Sequence, residues 1–111
     1  MKLWIDDIRP APDGYILFQT VNDALRYIRL HSEFIDVIDL DHDAGNCAAD
    51  GGDYINILNE LERLSHRLTS EGSYWDHWLK NQVMFHFHSA NPVGVQNMRL
   101  IVERNGWTEV R

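Results

Sequence analysis

Residues 35–53 read IDVIDLDHDAGNCAADGGD, and the rest of the chain is organised around this stretch. It begins as an apolar strand and then becomes acidic, with Asp36, Asp39, Asp41 and Asp43 in one short run. Carboxylates at this density repel one another, and a hard divalent cation with oxygen ligands relieves that repulsion. Three glycines follow in a polar loop, which is typical of a sharp bend. The same run also fits a solvated acidic turn that caps the next helix.

Composition limits the class of protein. With 111 residues, of which 44% are hydrophobic and 24% charged, we expect one globular domain over residues 1–111. The single cysteine, Cys47, excludes an internal disulfide and suits a reducing compartment, so we expect a cytoplasmic protein. There is no long apolar run, and acids come early in the chain, so neither a membrane span nor a signal peptide is predicted. The net charge of −7 argues against a nucleic-acid binder.

The order of strand-like and helix-like apolar patterns along the chain predicts an α/β fold. Strands are predicted over residues 2–6, 15–18, 35–40, 83–88 and 107–110, and helices over 21–30, 54–68 and from 92 until Asn105-Gly106 stops the last one. The aromatic residues 74–79 favour a short extra helix packed over the sheet edge, or alternatively a patch that binds a partner. Strands that alternate with helices at this spacing form βαβ units with a parallel sheet.

Polar side chains lie at the carboxyl ends of three of these predicted strands. They are Asp6, Asp7, Asp39, Asp41, His42, Asp43, His86, His88 and Ser89. Ligands of open parallel sheets bind at the carboxyl ends of the strands, so these residues predict one functional site. Mg²⁺ uses one or two protein carboxylates and keeps several waters, which suits an open pocket that admits a phosphate. Ser89 is placed to donate to a phosphoryl oxygen, and the helix that begins near Pro92 favours an anion.

Two other metal sites fit parts of the pattern. Asp39, Asp41 and Asp43 imitate the start of an EF-hand loop, but a strand precedes them and Ala44 stands where that loop needs glycine. Alternate strand residues share a face, so His86-x-His88 resembles a transition-metal pair for Zn²⁺ or Mn²⁺. A histidine inside a strand is as often a hydrogen-bonded core residue.

The segments WIDDIRP, DVIDLDHD and HFHSANP resemble the receiver domain of two-component signalling. They resemble more closely a group of small receiver-like proteins in phages and bacteria that share DDxRPxP, LDHD and HSANPxG. The resemblance implies a small flavodoxin-like, three-layer sandwich with a mostly parallel sheet of four to five strands in the order 2-1-3-4-5. It implies that Asp6 and Asp7 bind Mg²⁺, that Asp41 accepts a phosphoryl group and that Ser89 is the switch hydroxyl. Neither lysine of the chain lies at the position of the receiver lysine.

Two functions are therefore expected. The first is a non-enzymatic, receiver-like regulatory or binding module with an acidic divalent-cation pocket, phage-encoded and acting on a host protein. The alternative is a metal-dependent phosphohydrolase that uses the DHD and HxH residues. The predicted metal residues are Asp6, Asp7, Asp41, Asp43, His42 and His88, and the predicted cation is Mg²⁺, with Mn²⁺ or Zn²⁺ as alternatives. Another protein is the expected partner and a phosphate-bearing small molecule the second choice, with no role for nucleic acid or membrane.

Overall fold

The structure, a computed structural model, describes residues 1–111. Its strands are β1 (Lys2–Ile5), β2 (Tyr15–Phe18), β3 (Val37–Leu40), β4 (Met84–Phe87) and β5 (Thr108–Glu109). Its helices are α1 (Val21–His31), α2 (Ile55–Ser65), α3 (Ser70–Asn81) and α4 (Pro92–Asn105), with short 3₁₀ segments at Ser32–Phe34 and Gly45–Ala49. The strands form one all-parallel sheet in the order β2-β1-β3-β4-β5. The predicted α/β class and flavodoxin-like strand order are confirmed.

The helices begin and end at residues that satisfy the free backbone groups. The Thr20 side chain accepts from the Asp23 N–H at 3.1 Å and begins α1. The Asn91 side chain accepts from the Gly94 N–H at 2.9 Å, and Pro92 occupies the first turn of α4. Gly106, with φ of 71°, ends α4 in the left-handed conformation that favours glycine. These caps place the start of α4 beside the carboxyl end of β4.

One core of 23 buried residues lies between the sheet and the helices. The connections from β2 to β3, from β3 to β4 and from β4 to β5 all run in the same direction across the sheet. Right-handed crossovers therefore place α1 to α4 on the same face, and α2 packs against each of the other three helices. The β1–β2 connection runs the other way, and residues 6–14 form a loop instead of a helix. These four helices thus form one layer on one face, whereas a three-layer sandwich needs helices on both faces.

Two details in the middle of the chain differ from the prediction. Helix α2 ends at Ser65, and Leu68, which was predicted on its apolar face, is fully exposed. The expected short aromatic helix is the 12-residue α3, capped by the Thr69 side chain. Trp75 and Trp78 are buried in the core, so the aromatic segment packs instead of offering its tryptophans to a partner. None of the helices is long and apolar enough to cross a membrane.

Candidate functional site

Three carboxylates meet where β1 and β3 end. The two strands pair in parallel with Ile5 opposite Leu40, so the residues that follow them come together at one edge of the sheet. One oxygen each from Asp6, Asp7 and Asp41 lies within 4.8 Å of the others. This all-oxygen set matches the ligands that hard divalent cations prefer. We call these three residues the acidic triad.

Asp6 is the buried member of the triad. Its Oδ1 accepts from the backbone N–H groups of Ile8 and Arg9 at 2.8 and 2.9 Å. Its Oδ2 lies 2.8 Å from Nε2 of His88. Burial alone would raise the pKa of Asp6, but the backbone donors and the imidazole outweigh it, so the pKa lies below its usual value. Asp6 is therefore a carboxylate at neutral pH, held rigidly by four groups.

His88 lies behind the triad, between two carboxylates. Its Nε2 faces Asp6, and its Nδ1 lies 2.6 Å from Oδ1 of Asp39. The ring stacks on Trp4, with the ring centroids 3.7 Å apart and the planes 4° from parallel. Burial lowers the pKa of His88, but hydrogen bonds and charge interactions with Asp39 and Asp6 raise it further, so the net shift is upward. Both nitrogens then donate to carboxylates, and neither ring nitrogen is left for a metal ion.

Asp39 belongs with His88 and not with the triad. The same Asp39 Oδ1 that faces His88 also lies 3.0 Å from Nδ1 of His86, on the neighbouring strand β4. We call Asp39, His88 and Asp6 the buried chain, with the half-exposed His86 at its outer end. Because Asp39 is engaged in this chain, the structure does not gather Asp39, Asp41 and Asp43 around one point as an EF-hand loop would.

In front of the triad lies a pocket of about 360 Å³, which we call the acidic pocket. It is lined by Asp7, Ile8, Arg9, Asp41, Asp43, Gly45, Ser89, Ala90 and Asn91. The Arg9 guanidinium lies 3.3 Å from Asp6 Oδ2 and 3.5 Å from Asp41 Oδ2, and it also donates to the His88 carbonyl. Sequence analysis did not single out Arg9 as a site residue. The signal was present, since Arg9 is the arginine of the DDxRPxP motif.

Ser89 and the start of α4 form the opposite wall. The Ser89 Oγ accepts from the Asn91 N–H at 3.1 Å, so its own proton is available to another acceptor. Asn91 also donates to the Asp43 carboxylate at 3.3 and 3.4 Å. The structure thus places Ser89 in the same pocket as Asp41, as its position at the end of β4 predicts.

A second group of potential ligands lies beside the first. One ligand atom each of His42, Asp43 and Asp53 lies within 4.8 Å of the others. The His42 Nδ1 is 2.8 Å from Asp43 Oδ1, and this contact, together with Asn91, lowers the pKa of Asp43. Asp53 already accepts from the Ala44 N–H at 2.9 Å. The six predicted metal residues therefore separate into the triad, the pair His42 and Asp43, and His88 in the buried chain.

Two glycines allow these side chains to approach closely. Gly45 has φ of +55°, and a Cβ there would lie 2.5 Å from Oδ2 of Asp7. A Cβ at Gly94 would lie 2.4 Å from Cγ of His42. Side chains at either position would push a site residue away, which gives a physical reason for glycine in the 45–52 loop and in HSANPxG.

The parallel sheet, with an acidic cluster at its carboxyl ends, defines a receiver-like α/β domain. The family described as "Cyclic-phosphate processing Receiver domain" matches residues 1–104, and the chain belongs to this family. The predicted resemblance to receiver-like proteins is therefore confirmed. Neither the curated proteins nor the solved structures contain a match.

Proposed function

We propose that the acidic pocket binds a divalent cation and opens cyclic phosphodiesters to phosphomonoesters. The observation that carries this proposal is the convergence of the acidic triad with Arg9 and Ser89 on one pocket of about 360 Å³. Carboxylates for a cation, a guanidinium and a hydroxyl form a set that suits a phosphate group. The family description supports the cyclic phosphate as substrate class.

The triad fits a cation by charge as well as by ligand type. Arg9 is the only lysine or arginine paired with Asp6 or Asp41, and Asp7 forms no ion pair. Arg9 and the His88 ring, which faces Asp6, are the only basic groups paired with the three carboxylates, so the unpaired Asp7 favours a bound cation. The all-oxygen set favours Mg²⁺ or Mn²⁺ over Zn²⁺. A bound cation would polarise a phosphoryl oxygen and stabilise the charge that develops on it.

The residues of the chain then position the ester. Arg9 offers N–H donors to the two non-ester oxygens of the phosphate, and Ser89 donates its hydroxyl proton to one of them. The first turn of α4 adds a favourable dipole on the same side. In the reaction, water adds to phosphorus and one ring P–O bond breaks. The proton from water ends on the released ring oxygen, so the product is a phosphomonoester with a free hydroxyl.

A regulatory module that binds a cyclic phosphate without turnover is the second candidate. The receiver-like class of the domain favours it. Phosphoryl transfer to Asp41 has less support, because the lysines, Lys2 and Lys80, do not line the pocket and Arg9 is its one cationic side chain. A protein partner and a phage origin stay predictions, and the single Cys47 supports a reducing compartment such as the cytoplasm.

The test measures binding and turnover on the same samples. Amides of Asp6, Asp7, Asp41 and Ser89 are followed by NMR as Mg²⁺ or Mn²⁺ is added. The conversion of 2′,3′-cyclic and 3′,5′-cyclic nucleotides is followed by ³¹P NMR. Asp41→Asn is compared with Asp76→Asn, whose exposed carboxylate pairs with Lys80 on α3.

We expect the four amide signals to shift or broaden together and a phosphomonoester to form. Asp41→Asn should lower the rate of product formation at least about tenfold, equivalent to about 1.4 kcal/mol. Asp76→Asn should react at the wild-type rate. Metal and nucleotide binding without product would favour the regulatory module. Unmoved amides at millimolar metal, together with no product, would reject both candidates.

A further inference from the structure

We propose that the acidic pocket takes a small cyclic phosphodiester with a single phosphate, such as a cyclic mononucleotide, and rejects a cyclic phosphate at the end of a polynucleotide. This inference rests on the proposed function and specifies its substrate class. It follows from the charges around the pocket, from its size and from the exposed Ile8 side chain in its lining.

The charges of the pocket match one phosphate only. Arg9 is the one cationic side chain in the lining, against the carboxylates of Asp7, Asp41 and Asp43. A divalent cation at the triad and the Arg9 guanidinium would together only balance these three carboxylates, so the lining would have no surplus positive charge for further phosphates. No further positive side chain lines the pocket to meet a second phosphate.

The surroundings of the pocket would repel a polynucleotide. Proteins that follow a phosphate backbone present a path of lysine and arginine, and their affinity comes largely from that path. Here the loop beside the triad adds Asp50 and Asp53, and the whole chain carries a net charge of −7. The next phosphates of an attached strand would therefore approach acidic side chains.

The arginines elsewhere do not form such a path. A cavity of about 800 Å³ lies between α1 and α2 and contains Arg26, Arg29 and Arg63. Glu60 pairs with both Arg29 and Arg63, and Asp23 pairs with Arg26. All three guanidiniums are therefore paired with an acid, Glu60 in the cavity lining or Asp23 on α1, which reduces the positive charge that the cavity offers to a nucleic acid.

The mouth of the pocket offers apolar contact instead. Ile8 lines the pocket and is 83% exposed. Ala90 adds a second small apolar surface to the lining. A base or similar apolar group attached to the phosphate would bury part of these side chains. The pocket volume of about 360 Å³ lies near the lower end of the range of about 300–1,000 Å³ for small-molecule sites.

The experiment presents the same cyclic phosphate in two contexts. A 2′,3′-cyclic mononucleotide is compared with an oligonucleotide of about ten residues that ends in the same 2′,3′-cyclic nucleotide, with Mg²⁺ and at low salt. We expect kcat/KM to favour the mononucleotide by at least about tenfold, and added salt to narrow the gap because it screens the repulsion. We also expect Ile8→Ser to raise KM for the mononucleotide about three- to tenfold with little change in kcat.

Leu68→Ser is the matched control, because Leu68 is fully exposed and outside the pocket lining. If the oligonucleotide is opened as efficiently as the mononucleotide, the inference is overturned while the proposed function stands. If Ile8→Ser behaves like Leu68→Ser, the apolar contact is wrong and the mononucleotide loses its basis as the preferred ligand. If neither substrate is opened, the proposed function fails and this inference fails with it.

Discussion

Asp6 and Asp7 are neighbours in the sequence but have opposite surroundings. Asp6 is fully buried and is held by two backbone N–H groups, His88 and Arg9. Asp7 is half-buried and forms no ion pair, although a glycine lets it approach the triad. The same contrast separates the buried chain, in which two carboxylates share the His88 ring, from the acidic pocket, which has three lining carboxylates and one guanidinium.

The comparison shows that neighbouring acids of one cluster have different roles. In the buried chain, Asp39 and Asp6 lie 2.6 and 2.8 Å from the two ring nitrogens of His88, whose side chain is only 10% exposed. Arg9 lies 3.5 Å from Asp41, the one pocket-lining acid with which it pairs, and it is itself half-exposed. The chain is therefore a structural support for Asp6, whereas the pocket retains negative charge for an external cation.

The largest expected effect comes from removing the cation of the buried chain. His88→Leu places an apolar side chain beside Trp4 and removes the histidine that Asp6 and Asp39 share. Both carboxylates are almost inaccessible to solvent, so water cannot replace the lost partner. Breaking a buried pair in this way costs about 3–5 kcal/mol of unfolding free energy. Urea unfolding at pH 6 would measure the loss.

The control for this change is His77→Leu, because His77 is exposed on α3 and contacts only Asn81 of the same helix. We expect its unfolding free energy to stay within about 0.5 kcal/mol of the wild type. Equal midpoints for the two variants would mean that His88 does not hold the chain together.

A smaller effect on stability is expected from two glycine substitutions, which together distinguish backbone strain from displacement of the Asp7 carboxylate. Gly45→Ala and Gly14→Ala both place a side chain at positive φ, at +55° and +85°, which costs about 1–2 kcal/mol. Only the Gly45 change also drives a Cβ against the Asp7 carboxylate, because nothing lies within 4 Å of a Cβ at Gly14. We expect both variants to lose stability, and Gly45→Ala alone to lose Mg²⁺ affinity in a calorimetric titration. Equal affinities would show that Asp7 is not a ligand.

Most of the helices and strands could be predicted because each depends on the spacing of apolar residues within its own short segment. The capped start of α4 and the glycine that ends it are visible in the sequence and agree with the structure, and the strand order agrees with the one that the resemblance to receiver domains implies. The end of α2 could not be predicted, since Leu68 continues the helical apolar spacing although the chain has already turned at His66. The single helical layer depends on the conformation of the β1–β2 loop, which no periodicity describes.

The candidate site could be predicted in part. Parallel strands bring their following residues to one edge, and this rule places Asp6, Asp7, Asp41 and Ser89 together. The rule does not tell which acids are paired inside the protein. Asp39 lies within β3 and faces the histidines of β4, while Asp41 follows the strand and reaches the pocket. That difference depends on side-chain contacts between strands, and these contacts cannot be predicted from the spacing of the acids along the sequence.

The smallest effect is a dependence on pH that tests the charge of His88 in the metal-free protein. The pKa of His88 is raised above its usual 6.5, so its contribution to stability is complete below about pH 6.5 and is lost as the pH rises through the folded pKa. The pKa of Asp6 is lowered from 3.8, so its contribution is present above that value and is lost as the pH falls through the folded pKa.

The buried chain should therefore stabilise the protein most between about pH 4 and pH 6.5. The difference in unfolding free energy between the wild type and His88→Leu should shrink above this window, by up to about 1.4 kcal/mol for each unit by which the folded pKa exceeds 6.5. Urea unfolding at pH 6 and pH 9, with ¹⁵N NMR of the imidazole nitrogens, measures both quantities. A measured His88 pKa at or below 6.5 would contradict this prediction. It would mean that burial lowers the pKa more than Asp6 and Asp39 raise it, and that a neutral imidazole lies between the two carboxylates.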